Sequence, residues 1–427
     1  MTGWRPTAAL VRGAIVSGVT SLGALTLGRP DLLVLVAPVG LLVALAIAHA
    51  PRAPVSSTVR LGDSRLREGQ STRLFVEVDA GSAVEHATLT VATPAHVVVQ
   101  PTSGAVSAVV SGRTDLELLF SVRRWGVRPV GTAMLSASSP WDGYRWRSGP
   151  LPEQTLTVLP QRSTFTSVES PNPLGLVGQN RSRRAGHGSE FWGIRRFQPG
   201  DRLRRVDWRT TLRTRELHTV GTDAQEDSSL LILLDAVTDH GVSEGVDGRA
   251  SSLDLGVRAA SALAAHHLGV GDRVSLRVLG RRHLVLGPGS GPHHLRRIDE
   301  LLAQVAPGWP DLLSTRLRLR AGAGTVVVVL SPLFTPEVTT AMVTLTRRGL
   351  SVVAIDTLPE GVVPGRAFDP LSPGRLAWRM RLLERQMQLT ESTRLGVPVV
   401  PWNGPGTLDE VFRRLGRRAR VPREVTR

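Results

Sequence analysis

The chain has no cysteine among its 427 residues, which excludes a disulfide scaffold, thiolate zinc sites and cysteine nucleophiles. It has a single tyrosine and only 4% aromatics, too few for a stacking platform of the kind that binds single-stranded nucleic acid. Lysine is also absent. The 52 basic residues are therefore all arginine, and against 36 acids they leave a formal net charge of +16. Codon bias in a GC-rich genome produces such usage, so it is not read as selection for guanidinium chemistry. What is present argues for folded domains: 41% hydrophobic and 21% charged residues rule out disorder throughout. The length allows two or three domains.

Charge is scarce in the first fifty residues. Apolar runs occupy Ala8–Leu27 and Leu32–Ala48, separated by the turn-forming Gly28-Arg29-Pro30-Asp31. Each is about long enough to cross a hydrocarbon core roughly 30 Å thick. Arg12 lies within a turn of the first run's start and can reach the headgroups. Residues 1–52 are expected to form a transmembrane helical hairpin, with a cleaved signal peptide as the bland alternative. Arg5, Arg12 and Arg52 flank the pair, while Arg29 alone lies between the runs. The positive-inside rule then predicts a multi-pass protein of the cell membrane with its soluble part in the cytoplasm.

Residues 53–160 carry short alternating segments at turn-spaced intervals: Thr72–Val78, Ala87–Val91, Val97–Gln100, Asp115–Val122 and Thr155–Leu159. They predict a β-sandwich. From residue 229 to 427 apolar strands alternate with helical patterns. The predicted strands are Leu230–Leu234, Arg273–Leu279, His283–Leu286, Thr325–Leu330, Ser351–Asp356 and Val397–Val400. Helices are predicted at Ser252–Leu268, Pro292–Val305, Pro336–Arg348, Arg375–Thr393 and Thr407–Arg420. This rhythm predicts an α/β domain with a mostly parallel sheet covered on both faces.

Residues 161–228, expected as a linker, hold the most informative stretch. It contains Glu190, Phe191, Gly193, Arg195, Pro199, Gly200, Asp201, Arg204, Asp207, Trp208, Thr211 and Arg213. Pro199-Gly200-Asp201 is a tight turn. Asp201 and Asp207 lie among arginines with which bidentate pairs are expected. Residues 181–218 hold eleven arginines against four acids, so pairing cannot neutralise them. Trp208 and Phe197 suit anchoring to a core. On that ground the motif is expected mainly to lock domains together, with a docking surface as the other reading.

This stretch resembles the signature of the bacterial domain-of-unknown-function family 58 (DUF 58), approximately E-F-x-G-x-R-x-Y-x-P-G-D-D-x-R-x-I-D-W-x-x-[ST]-A-R. Phe197, Arg202 and Leu212 depart from it. The resemblance extends to the layout of membrane hairpin, β-sandwich, motif and a C-terminal domain similar to von Willebrand factor type A, which is Rossmann-like. It implies protein partners, namely a MoxR-type AAA+ ATPase and a transglutaminase-like membrane protein, and no established reaction. A type A domain often binds Mg²⁺ through D-x-S-x-S, and hard cations need such oxygen ligands. Here Asp235 fits the first position, Val237 removes a hydroxyl and Asp239 replaces the second Ser. A degenerate site is expected, with no other cofactor.

Bland readings hold elsewhere. Gly287-Pro288-Gly289-Ser290-Gly291-Pro292 lacks the residues of a phosphate loop and reads as a loop and helix start. Adjacent histidine pairs diverge on a helix. No nucleophile elbow or catalytic triad is present, so no enzyme is expected. The arginine-rich tail from Arg413 reads as a solvated helix face, with anionic lipid the functional alternative; a nucleic-acid partner is not favoured. The expected function is a membrane-anchored, non-enzymatic adaptor or scaffold. The alternative is a metal-dependent ligand-binding receptor of the type A class.

Overall fold

The computed structural model describes residues 3–79, 84–110, 112–162, 182–198, 203, 206–224, 229–309, 325–362 and 373–402, with 182–193, 195 and 221–224 described by their backbone. The chain divides into two units, Met1–Gln161 with Glu244–Arg249, and Arg162–Ser243 with Ala250–Arg427.

The first unit begins with two helices, α1 (Ala8–Leu27) and α2 (Asp31–Ala48). The Thr7 hydroxyl caps α1 by accepting from the Leu10 N–H at 3.2 Å. Gly28, in the left-handed region at φ 64°, ends it. Asp31 pairs with Arg29 at 2.9 Å and opens α2 where its charge suits the helix dipole. Small residues let the helices approach: Gly13 faces Val39 and Val43, and Gly40 lies beside Ser17. Both helices are long and apolar enough to cross a membrane. Val11, Ile15, Val19 and Leu22 on α1, and Val34, Leu35 and Leu41 on α2, point outward.

The strands that follow are antiparallel but for one pair. A five-stranded sheet runs in the order Arg5–Pro6, Tyr144–Pro150, Thr132–Ser138, His86–Ala92, Ala105–Val109. A four-stranded sheet runs Ser56–Leu61, Ser71–Asp79, Arg113–Val122, Val97–Gln100. The small third sheet joins Arg65–Arg67, Thr155–Leu159 and Gly126–Pro129, its first pair parallel. Alternation explains the packing: Leu74, Val76 and Val78 point inward from one strand and Leu116, Leu118 and Phe120 from its neighbour. They meet Leu89, Leu135, Leu156 and Val158 in one core, against which Trp4 packs.

The second unit is built on a six-stranded sheet in the order Leu284–Gly289, Arg273–Leu279, Ser229–Asp235, Thr325–Ser331, Ser351–Asp356, Val399–Pro401. All neighbours are parallel except the first pair. The central strand is apolar from Leu230 to Leu234 because both its faces are covered. Leu231 and Leu233 meet Val338, Met342 and Leu345 of α6 (Pro336–Arg347). On the other face α4 (Ser252–Val270) comes close enough that a Cβ on Gly256 would lie 2.8 Å from Leu234 Cδ1. A reciprocal capping box of Ser251 and Asp254 starts α4, and Gly271 ends it. Helices α5 (Gly291–Leu302) and α7 (Pro373–Arg394) complete the unit.

The expected linker contains regular structure. Ser182–Arg196 pairs antiparallel with His218–Ala224, and a short helix α3 (Trp208–Thr214) lies between them. Arginine and glycine occupy so much of the first strand that no apolar alternation announces it. The helix expected at Thr407–Arg420 and the basic tail fall outside the described residues.

Candidate functional site

The signature segment is an excursion closed at its base by backbone hydrogen bonds. Arg195 pairs with Thr219 and Arg196 with His218. The Phe197 N–H donates to Leu217 O at 2.8 Å, and the Asp207 N–H to His218 O at 2.9 Å. Asp207 then caps α3: its Oδ1 accepts from the Arg209 N–H at 3.1 Å and its Oδ2 from the Thr210 hydroxyl at 2.8 Å. The Thr210 hydroxyl above all holds its carboxyl below the usual range. Thr211 accepts from the His218 N–H at 3.0 Å and ties the helix to the returning strand. Arg213 lies in the last turn, where a cation suits the helix dipole.

These contacts sort the motif. Asp207 and Thr211 hold the local structure, whereas Trp208 is 62% exposed and Leu212, one turn on, is 79% exposed. The expectation that Trp208 anchors a core is corrected: at the first position of a helix fixed by its neighbours, its ring points to solvent. Glu190, Phe191, Gly193 and Arg195 lie on the first strand, described by its backbone, with Phe191 opposite Thr222 and Gly193 opposite Gly221. Pro199, Gly200, Asp201, Arg202 and Arg204 lie outside the described residues.

The second place is the carboxyl end of the six-stranded sheet, where polar residues end three adjacent strands: Asp235, Ser331 and Asp356. Sheet order reverses between the first two, the point at which open α/β sheets commonly bind ligands. Asp235 is only 3% exposed. Its Oδ2 accepts from the Ser331 hydroxyl at 2.6 Å and its Oδ1 from the Val237 N–H at 3.1 Å. Burial pushes its pKa up, against the opposing effect of the Ser331 hydroxyl. Asp239 turns away to the start of α4, where its Oδ1 accepts from the Leu253 N–H at 3.0 Å. The two carboxylates sequence reasoning paired as metal ligands thus serve separate structural tasks. Among the described residues no three His, Cys, Asp or Glu side chains gather as a metal would need. This donor set does not fit a hard divalent cation.

Beside Asp239 lies a cluster that sequence reasoning missed. His240, Phe334 and Trp378 pack as tilted rings with centroids 4.7 to 5.7 Å apart. Arg381 and Arg385 lie over Phe334 at 5.9 and 5.5 Å. Arg385 also donates through Nε to Pro332 O at 2.7 Å and pairs with Asp356. Burial pushes the His240 pKa down; the Asp239 carboxylate opposes this and the two arginines reinforce it. The members come from three distant stretches, so no local spacing could reveal them; the polar strand ends were the available signal. The cluster is a braced, half-buried aromatic surface.

Residues 193–360 match the family described as "Protein of unknown function DUF58". No curated protein matches the chain. Similar solved structures include the cupredoxin domain of amoB from Nitrosocaldus yellowstonii, at 10% identity over 27% of this chain and 95% of that one, with a TM-score of 0.17. A non-cellulosomal cohesin from the archaeon Archaeoglobus fulgidus is 13% identical over 24% of this chain and 91% of that one, also with a TM-score of 0.17.

Proposed function

From the DUF58 match we propose that the chain is a membrane-anchored, non-enzymatic adaptor whose α/β unit is a von Willebrand type A-like domain. Its partner in this reading is a MoxR-type AAA+ ATPase, as the family resemblance implies, with a transglutaminase-like membrane protein as a further member of the assembly. The observation that carries the docking role is the exposure of Trp208 and Leu212 on a helix whose position Asp207 and Thr211 fix. A large, pre-ordered aromatic in solvent is the residue type that dominates protein interfaces.

The strand order and the single antiparallel edge pair support the type A reading. The membrane reading is supported by the outward apolar faces of α1 and α2. Residues on both sides of the hairpin bond to the sandwich: the Trp4 indole N–H donates to Ala53 O at 3.0 Å. In this reading both ends of the hairpin share one side of the membrane, and Arg5, Arg12 and Arg52 against Arg29 support the cytoplasm as that side.

The test is affinity purification of the full-length protein from gently solubilised membranes, with mass spectrometry of what accompanies it under ATP-trapping conditions. An AAA+ ATPase recovered with the wild type and lost with Trp208→Ala supports the adaptor. Trp208→Ala is expected to leave the melting temperature unchanged, because an exposed substitution costs within about 0.5 kcal/mol. A preparation without ATPase sinks the reading.

A further inference from the structure

Helix α7 has two unlike faces. Trp378, Arg385, Leu389 and Ser392 lie on its covered side. The Trp378 indole N–H donates to Val362 O at 2.8 Å, Arg385 donates through Nε to Pro332 O at 2.7 Å, and Leu389 packs against the apolar core. These contacts order the helix before anything binds its other side, which lowers the cost of docking there. On that other side Leu376, Met380, Leu383 and Met387 are 49%, 62%, 66% and 66% exposed. A row of large apolar side chains in solvent marks an interaction site.

The steps of four, three and four residues are those of a coiled-coil seam, in which positions a and d of a heptad a to g are apolar. Leu376 and Leu383 take d, Met380 and Met387 take a, and Trp378, Arg385 and Ser392 fall at f, directly away from the seam. At 1.5 Å per residue the stripe is about 17 Å long. Two apolar positions per heptad make it narrower than the face a helix turns to a core. Its flanks carry Arg379 at g and Glu384 at e, both exposed. In a parallel pair of helices, position g of one copy lies beside position e of the other five residues on, which is the separation of Arg379 and Glu384. The same rule sets Gln386 beside Glu391. In an antiparallel pair e lies beside e and g beside g, so Arg379 would not meet Glu384. Thr390 and Arg394 take the next d and a positions and end the seam.

We propose that this face of α7 docks on the same face of a second copy of the chain, as a short parallel coiled coil flanked on each side by Arg379 of one copy and Glu384 of the other. The occupant is a second copy because the stripe supplies its own complement: leucine meets leucine, methionine meets methionine, and each flanking cation meets an anion. The acidic flank of Glu384 and Glu391 disfavours an anionic bilayer as the cover.

With no cysteine of its own, the chain reports a single introduced thiol without background. Equivalent d residues face each other in a parallel pair. Full-length Leu383→Cys, in the cell fraction that holds the protein, should therefore form a disulfide-linked dimer under copper-phenanthroline, read on a non-reducing gel. Val270→Cys, at a site 71% exposed at the end of α4, should not. Adding Arg379→Glu to Leu383→Cys should slow linkage about tenfold, because two symmetric pairs turn from attraction to repulsion. Adding Glu384→Arg as well should restore it. Leu383 is exposed, so its replacement should leave the fold intact, and Leu376→Cys at the other d position gives an independent reading. Linkage no faster than that of Val270→Cys, or a rate indifferent to Arg379→Glu, overturns the proposal. A disulfide to a different polypeptide assigns the face to another protein, and a thiol shielded from soluble maleimide only by phosphatidylglycerol vesicles assigns it to a membrane; either overturns the second copy.

Discussion

A buried carboxyl group is pulled one way by the loss of water and the other by what donates to it. Asp235 has the Ser331 hydroxyl and the Val237 N–H, yet burial dominates and raises its pKa. The folded chain therefore keeps a proton at pH values where the unfolded chain, with a pKa near 3.9, has lost it. That contribution to stability is full below the unfolded pKa and is lost as pH rises through the folded one. Asp235→Asn cannot titrate. Its stability should gain on the wild type between pH 4 and 7.5, by about 1.4 kcal/mol for each unit of elevation, measured by urea unfolding. A difference that stays flat over this range would contradict the raised pKa. At Gly143 the constraint is steric: an added Cβ would lie 2.7 Å from the Ala46 Cβ of α2. Neither methyl can rotate away. Gly143→Val should lower the melting temperature in detergent by several degrees, consistent with an overpacking cost of about 1–3 kcal/mol.

Elements were legible where periodicity was clean. The strands Arg273–Leu279, Ser351–Asp356 and Thr155–Leu159, and helix α1, fall where alternation and apolar length put them. The pairing of Ser182–Arg196 with His218–Ala224 was not legible, since arginines and glycines supply neither a core face nor a turn signal. Nor was the role of Trp208. Composition says that tryptophan packs well, but only the fixed helix shows which way it points. The cap predicts how that helix responds: Asp207→Ala removes two acceptor contacts and should loosen the first turn of α3. Faster amide exchange at residues 209–211 with an unchanged global transition is the expected result; unchanged exchange would mean the strand pairing alone holds the helix.

For the molecule as a whole, the aromatic cluster shows why a site can stay hidden in a sequence. His240, Phe334 and Trp378 are separated by dozens of residues and meet only because parallel strands deliver their loops to one end of a sheet. The hairpin makes the opposite kind of statement, local and readable. Full-length protein should sediment with membranes and resist extraction by high salt or carbonate, as an integral rather than an electrostatic attachment requires. Release by 1 M salt would remove α1 and α2 from the bilayer.

The pairing of the chain's sixth residue opposite its hundred-and-forty-fourth also sets a schedule. At roughly 5–20 residues per second, the ribosome reaches Tyr144 on the order of ten seconds after Pro6. Until then the sheet lacks its border, and the first residues wait for their pairing strand. Completion of the sheet must follow synthesis of both helices, so a delay in translation between residues 48 and 144 prolongs the interval in which another strand can take that edge.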